Sequence, residues 1–176
     1  MPAHAFVDES IRNGYLLSAA VVPVAELSIA RGKLRELCKP GQRRLHMKDE
    51  NDSRRREILS TLTGLDLQVY LCRASLAGRP VRAGRDECLR ALVPALLEHD
   101  VSRLVIESCN QDRRDNQVIQ PMAGAFVAAG RFAWVHAKPS TEPLLWAADA
   151  TAWAVGRGGD WRRRVREIIR FTADLA

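Results

Sequence analysis

At 176 residues the chain has the length of one domain with one substantial core. A composition 47% hydrophobic and 27% charged excludes a disordered chain, and no apolar run approaches the roughly 20 residues of a membrane span. The net charge of +6, from 27 Lys and Arg against 21 Asp and Glu, is clustered at Arg43-Arg44, at Arg54-Arg55-Arg56, and at Arg162-Arg163-Arg164 with Arg166. A basic surface attracts phosphate backbones, and an arginine-rich composition produces one without any such role. Met1-Pro2-Ala3-His4 leads straight into an apolar run with no basic-then-apolar leader, so the expected location is cytoplasmic. Cys38, Cys72, Cys88 and Cys109 form no Cys-x-x-Cys pair and read as reduced, mostly core thiols.

In chain order, residues 5–8 and 15–22 read as two strands of a hairpin, with Asn13-Gly14 supplying the turn. The second strand is apolar almost throughout, as a strand covered on both faces should be. After Pro23, residues 24–37 carry Leu27, Ala30, Leu34 and Leu37 at helical spacing. The stretch 42–50 is basic and reads as too polar for a core element. Asn51 or Asp52 can cap a helix over 53–63, ended by Gly64. A strand over 65–75 follows, then a loop at Ala77–Pro80 and a helix over 85–99 with Pro94 inside it. Residues 103–107 form a short strand that ends on Glu107. Residues 108–120 read as polar connection, 121–129 as a helix, 132–136 as the last strand and 144–155 as an apolar helix. Gly156–Gly159 stops that helix, and 160–171 reads as a basic amphipathic helix.

Three carboxylates sit where packing does not require them. Asp8 ends the first strand in Phe6-Val7-Asp8-Glu9-Ser10, Glu107 ends the later strand, and Asp149 interrupts an apolar helix between Leu145, Trp146, Ala152 and Trp153. A buried, unpaired carboxylate costs several kcal/mol and needs a partner or a metal. Converging acids are how proteins hold Mg²⁺ or Mn²⁺, and paired ions of this kind serve phosphodiester hydrolysis. Each acid has an ordinary alternative: Asp8 as a turn cap, Glu107 as a partner of Arg103 or Arg113, Asp149 as half of a buried pair with a distant arginine. Glu9 is a possible auxiliary ligand, although strand alternation points it away from Asp8. His46 and Lys48, with Arg43, Arg44 and Arg113, are candidates for nucleic-acid contacts, against the reading of a solvated loop. Glu87, Asp112, Asp115 and His136 are outer candidates.

The order of elements resembles the RNase H-like fold, whose mixed five-stranded sheet is flanked by helices. In that fold, acids from the first strand, the fourth strand and a late helix bind divalent metals. Asp8, Glu107 and Asp149 match those places, and a strand-four Glu is closer to the Holliday-junction resolvase branch. More closely, the chain resembles a bacterial and phage family of RNase H-like proteins of unknown function. It shares that family's opening aromatic-x-Asp-Glu-Ser, here Phe6-Val7-Asp8-Glu9-Ser10, and its late Ala-Asp-x-x-Ala-Trp, here Ala148-Asp149-Ala150-Thr151-Ala152-Trp153. It departs where the family often has Gly after Asp-Glu-Ser, since Ile11 stands there.

The resemblance implies one RNase H-like α/β domain over residues 1–176, from whose minimal form the chain departs by a helical insertion at about 23–64 between strands two and three. That insertion, carrying Arg43, Arg44, Lys48 and Arg54 to Arg56, would serve as a substrate flap. The implied activity is Mg²⁺- or Mn²⁺-dependent hydrolysis of DNA or RNA by Asp8, Glu107 and Asp149. The rivals are a non-catalytic nucleic-acid-binding module, whose acids pair with arginines, and an interaction protein, such as a homodimer through the Trp-rich helix and Trp161.

Overall fold

The structure, a computed structural model, describes residues 1–175. Asn13 (φ 56°) and Gly14 (φ 114°) turn the chain between β1 (Ala3–Ile11) and β2 (Tyr15–Pro23), which pair antiparallel. A short 3-10 turn leads into α1 (Leu27–Glu36), and Asn51 caps α2 (Asp52–Thr63) by accepting from the Arg54 N–H at 3.0 Å. There follow β3 (Gln68–Ala74), α3 (Val81–Glu98), β4 (Val101–Glu107), α4 (Asp112–Ala128), β5 (Ala133–Ala137) and α5 (Leu144–Arg157). The chain ends in a short α6 (Gly159–Arg164), a 3-10 turn and β6 (Ile169–Leu175).

The strands form one mixed sheet in the order β5-β4-β1-β2-β3-β6, with β1 at its centre, antiparallel to β2 and parallel to β4. Alternation along the strands sorts the core into two layers. Phe6, Leu16 and Val105 face α1, α2 and α5, whereas Val7, Leu17 and Ile106 face α3 and α4. No helix among the described residues is long and apolar enough to cross a membrane.

Three regions differ from the expectations. The sheet has six strands, because the segment expected to be a helix over 160–171 holds a helix of only six residues and then an edge strand. Phe171, Ala173 and Leu175 repeat every second residue and are partly buried against the α3 layer, whereas Ile169, before a register shift, packs against the other layer. This period matches a half-covered strand, and the intervening charges had masked it. α4 begins at Asp112, nine residues before the expected helix start, because Asp115 in its polar first turns is fully buried against Arg85 of α3. The polar stretch 42–50 is fastened to the core, with Leu45 and Met47 buried.

Gly84 of α3 faces the sheet, and a Cβ there would stand 2.8 Å from the Tyr15 Cβ and 2.9 Å from a Leu76 methyl. Alanine normally stabilises a helix interior by about 1 kcal/mol over glycine. Here overpacking reverses the sign, so Gly84→Ala should cost about 1–3 kcal/mol in a urea melt; a stabilised variant would contradict this packing.

Candidate active site

β1 is the element that places the acids. Its register pairs Val7 with Ile106 on β4, so the next residues along these parallel strands, Asp8 and Glu107, are lateral neighbours. They are about 5 Å apart at the backbone, the spacing of adjacent strands. Both lie on the face of Phe6 and Val105, the face covered by α5. α5 is held over this point because its Thr151 hydroxyl meets Ser18, the residue opposite Asp8 on β2, at 2.7 Å. Asp149, two residues earlier on α5, is near enough for its charge to act on Asp8.

The electrostatics record that proximity. Burial, and then the charges of Glu107 and Asp149, push the Asp8 carboxyl well above its ordinary value. Glu107 is also raised, chiefly by burial, with the hydrogen bond from Asp8 and the Arg44 charge opposing the rise. The Asp8 side chain accepts the backbone N–H of Glu9 at 2.7 Å and has no cationic partner among the described residues. Crowded carboxylates, of which Asp8 has no cationic partner, are a donor set suited to a hard divalent ion, so the residues fit the metal expected from the sequence.

The segment 42–50 forms a strap over the other two acids. The Met47 N–H donates to Asp149 Oδ2 at 2.8 Å, and His46 Nδ1 stands 3.3 Å from Asp149 Oδ1. The hydrogen bond with Asp149 holds the His46 imidazole above its ordinary value. Arg44 reaches to 3.9 Å from Glu107. The strap is fixed by Arg55, whose guanidinium donates to the carbonyls of Met47 (2.9 Å) and Lys48 (3.2 Å) while lying over the Trp153 ring. Of the basic residues expected on a substrate flap, Arg54 and Arg55 are thus internal ties, and Arg56 lies over Trp161. Arg43 and Lys48 are exposed, and so is Arg113 on α4.

Glu9 does not join this patch. It points to the opposite face, where it pairs with Arg85. Arg85 also donates through two nitrogens to the two oxygens of Asp115, each at 2.8 Å, and to the Tyr15 hydroxyl at 3.0 Å. Burial alone would raise the Asp115 carboxyl, but Arg85 and then His136, 3.1 Å away, hold it below the ordinary range. Asp112, Asp115 and His136 bring one ligand atom each within 4.8 Å of one another. Arg85 already neutralises that cluster, and Asp112 accepts from the Ser108 hydroxyl and the Cys109 N–H, so it reads as a structural network. Glu87 pairs with Arg79 on the surface. The sequence reading missed Arg85; an arginine inside an apolar helical pattern was the available signal.

No family model matches the chain, and no curated protein matches it by sequence. Among solved structures it is similar to a chain of the PCNA:RNase HII complex from Archaeoglobus fulgidus, with TM-score 0.57 and 17% identity, over 96% of this chain and 73% of that one. It is similar to ribonuclease H2 from Pyrococcus horikoshii OT3, with TM-score 0.51 and 16% identity, over 94% and 74% respectively. It is also similar to Bst-RNase HIII in complex with Mn²⁺, with TM-score 0.54 and 13% identity, over 88% of this chain and 52% of that one, about half its length. The fold is RNase H-like, with a six-stranded mixed sheet.

Two stability predictions follow from the opposed faces of β1. Folded Asp8 keeps its proton to higher pH than the unfolded side chain, whose pKa is about 3.9. The native state then holds more protons above that value, so stability falls as pH rises through the folded pKa. Asp8→Asn should therefore melt above wild type near neutral pH in EDTA, by about 2–4 °C per kcal/mol relieved. The gain should vanish near pH 4, about the unfolded value, and a variant less stable at neutral pH would contradict the crowding. On the other face, Asp115→Asn leaves Arg85 buried without its main partner and should cost about 3–5 kcal/mol in urea denaturation. A loss below about 1 kcal/mol, the range of a surface pair, would contradict that network.

Proposed function

We propose that this chain is a divalent-metal-dependent nuclease that hydrolyses phosphodiester bonds in DNA or RNA, with Asp8, Glu107 and Asp149 as the metal-holding acids. The carrying observation is Asp8, a half-buried carboxylate beside Glu107 on the neighbouring strand, raised by burial and then by the charges of Glu107 and Asp149, and without a cationic partner among the described residues. A crowded carboxylate without a cationic partner destabilises the fold unless a cation answers it. A divalent ion held there would polarise a phosphodiester oxygen and neutralise developing charge.

The chain's own residues supply the rest. The strap fixes Asp149 through the Met47 N–H and His46. Arg44, with its side chain 40% exposed beside Glu107, is free to turn toward a phosphate oxygen. Arg43, Lys48 and the exposed Arg113 are further candidates for backbone phosphates. The similar structures named as RNase HII, ribonuclease H2 and RNase HIII make a ribonucleotide-containing strand the first substrate to try. The reading includes the whole chain as one domain, with 23–64 as an insertion that carries the strap, and membership of the Asp-Glu-Ser family named above.

A second reading is a nucleic-acid-binding module without catalysis. It draws on Arg44 beside Glu107 and His46 beside Asp149, which already neutralise part of the cluster. Steeply salt-dependent binding with no cleavage would select it.

Wild type, given single- and double-stranded DNA and RNA, should cleave at least one of them with Mn²⁺ or Mg²⁺ and none in EDTA. Outer-partner substitutions at metal sites cost about 10–100-fold, so Asp8→Asn and Asp149→Asn should each lose at least about 100-fold while remaining folded by circular dichroism. Folded wild type that cleaves nothing, or Asn variants with wild-type rates, would overturn the nuclease reading.

A further inference from the structure

The third basic cluster, Arg162 to Arg166, is not part of the carboxylate patch and lies at the opposite edge of the sheet. Arg163 and Arg164 are tied to Asp160. Arg162 and Arg166 are exposed and make no ion pair among the described residues. Together with Ile169 and Thr172 they line a groove of 540 Å³ between α6 and the edge strand β6. Arg162 and Thr172 also line a second hollow that continues inward to Leu16, Arg73 and Val155.

Strand register relates this groove to the acids. Asp8 pairs with Ser18, Ser18 with Leu71, and Leu71 with Thr172. Thr172 is therefore in the row of Asp8, three strands away, about 14 Å along the sheet. Alternation puts Leu16, Leu71 and Arg73 on the same face as Asp8. α5 lies over the middle of that row, and its C-terminal turn closes on the end of β1, where a Cβ at Gly156 would stand 3.3 Å from the Ser10 Oγ. Around that turn Arg12 and Arg157 are exposed and unpaired among the described residues. A chain of positive charge thus runs from the acids, past the end of α5, to the β6 edge.

We propose that the phosphodiester backbone of a nucleic-acid strand engaged at the carboxylate site turns round the C-terminal end of α5 and lies in the α6–β6 groove, held by Arg162 and Arg166. The proposal rests on the nuclease reading of that site for its direction. The groove recognises phosphates and not bases. No aromatic lines it, and Trp161, next to Arg162 in sequence, is packed edge-on against Trp153 at 5.1 Å and lies beneath Arg56. Two guanidiniums without acidic partners, on a floor that carries the hydroxyl of Thr172, suit phosphate oxygens. Asp174 lines the inward hollow and biases the backbone to the outer groove.

The test is fluorescence anisotropy with labelled single-stranded DNA and RNA over a salt series in EDTA, where no cleavage intervenes. Wild type should bind, and the double variant Arg162→Gln/Arg166→Gln should bind about tenfold more weakly, with a log–log salt slope shallower by about 1.4, two single-strand phosphates' worth. Arg82→Gln/Arg90→Gln removes the same charge from α3 on the other face of the sheet and should change neither quantity. If the groove variant matches wild type, or the α3 variant loses as much, the groove assignment fails even where cleavage is observed. If wild type shows groove-dependent binding but never cleaves with metal, the groove stands and the nuclease reading fails. Equal displacement of the oligonucleotide by polyglutamate at matched charge would overturn a nucleic-acid occupant in favour of an acidic peptide.

Discussion

The alternation of β1 at the centre of the sheet is the constraint on which the rest of the structure depends. Because β1 is hydrogen-bonded on both edges, its register cannot slip without turning every side chain over. Two consecutive acids on such a strand must separate. Asp8 goes to the face of α5 and meets Glu107, whereas Glu9 goes to the face of α3 and meets Arg85. The same dipeptide therefore contributes a crowded, uncompensated charge to one layer and a satisfied ion pair to the other. The second arrangement anchors the first. Arg85 ties β1, α3 and α4 together through Glu9, Asp115 and Tyr15, which makes the strand end that carries Asp8 costly to deform.

The strap over residues 42–50 does for Asp149 what the sheet does for Asp8. A carboxylate in the middle of an apolar helix would be free to choose rotamers, but the Met47 N–H and His46 fix it. Arg55 transmits the constraint: it grips two strap carbonyls and stacks on Trp153, one turn beyond Asp149 on α5. The insertion between the second and third strands is thus a structural part of the acid patch as well as a carrier of charge. Within the strap itself, Arg43, Arg44 and Lys48 keep side chains available to a ligand.

Sequence alone went far where the information is local. Asn13-Gly14 marks the hairpin, and the apolar runs ending in Asp8 and Glu107 mark strand ends. The apolar neighbours of Asp149 mark an acid that packing cannot explain. It went less far where a distant partner decides the outcome. Asp115 is buried because Arg85 lies thirty positions away in sequence and adjacent in space, so the start of α4 looked like loop. β6 looked helical because Arg166, Glu167 and Arg170 dominate a segment whose strand identity comes from pairing with β3. Leu45 and Met47, two apolar residues in a charged stretch, gave too weak a period to reveal that they anchor the strap in the core.

The proposed divalent-ion site lies on the α5 face, whereas Asp112, Asp115 and His136 form a network that Arg85 already satisfies. One crystal soaked in Mn²⁺ and measured for anomalous scattering separates the two directly. The expected result is density among Asp8, Glu107 and Asp149. Density at Asp112, Asp115 and His136 instead, or at neither cluster, would contradict it.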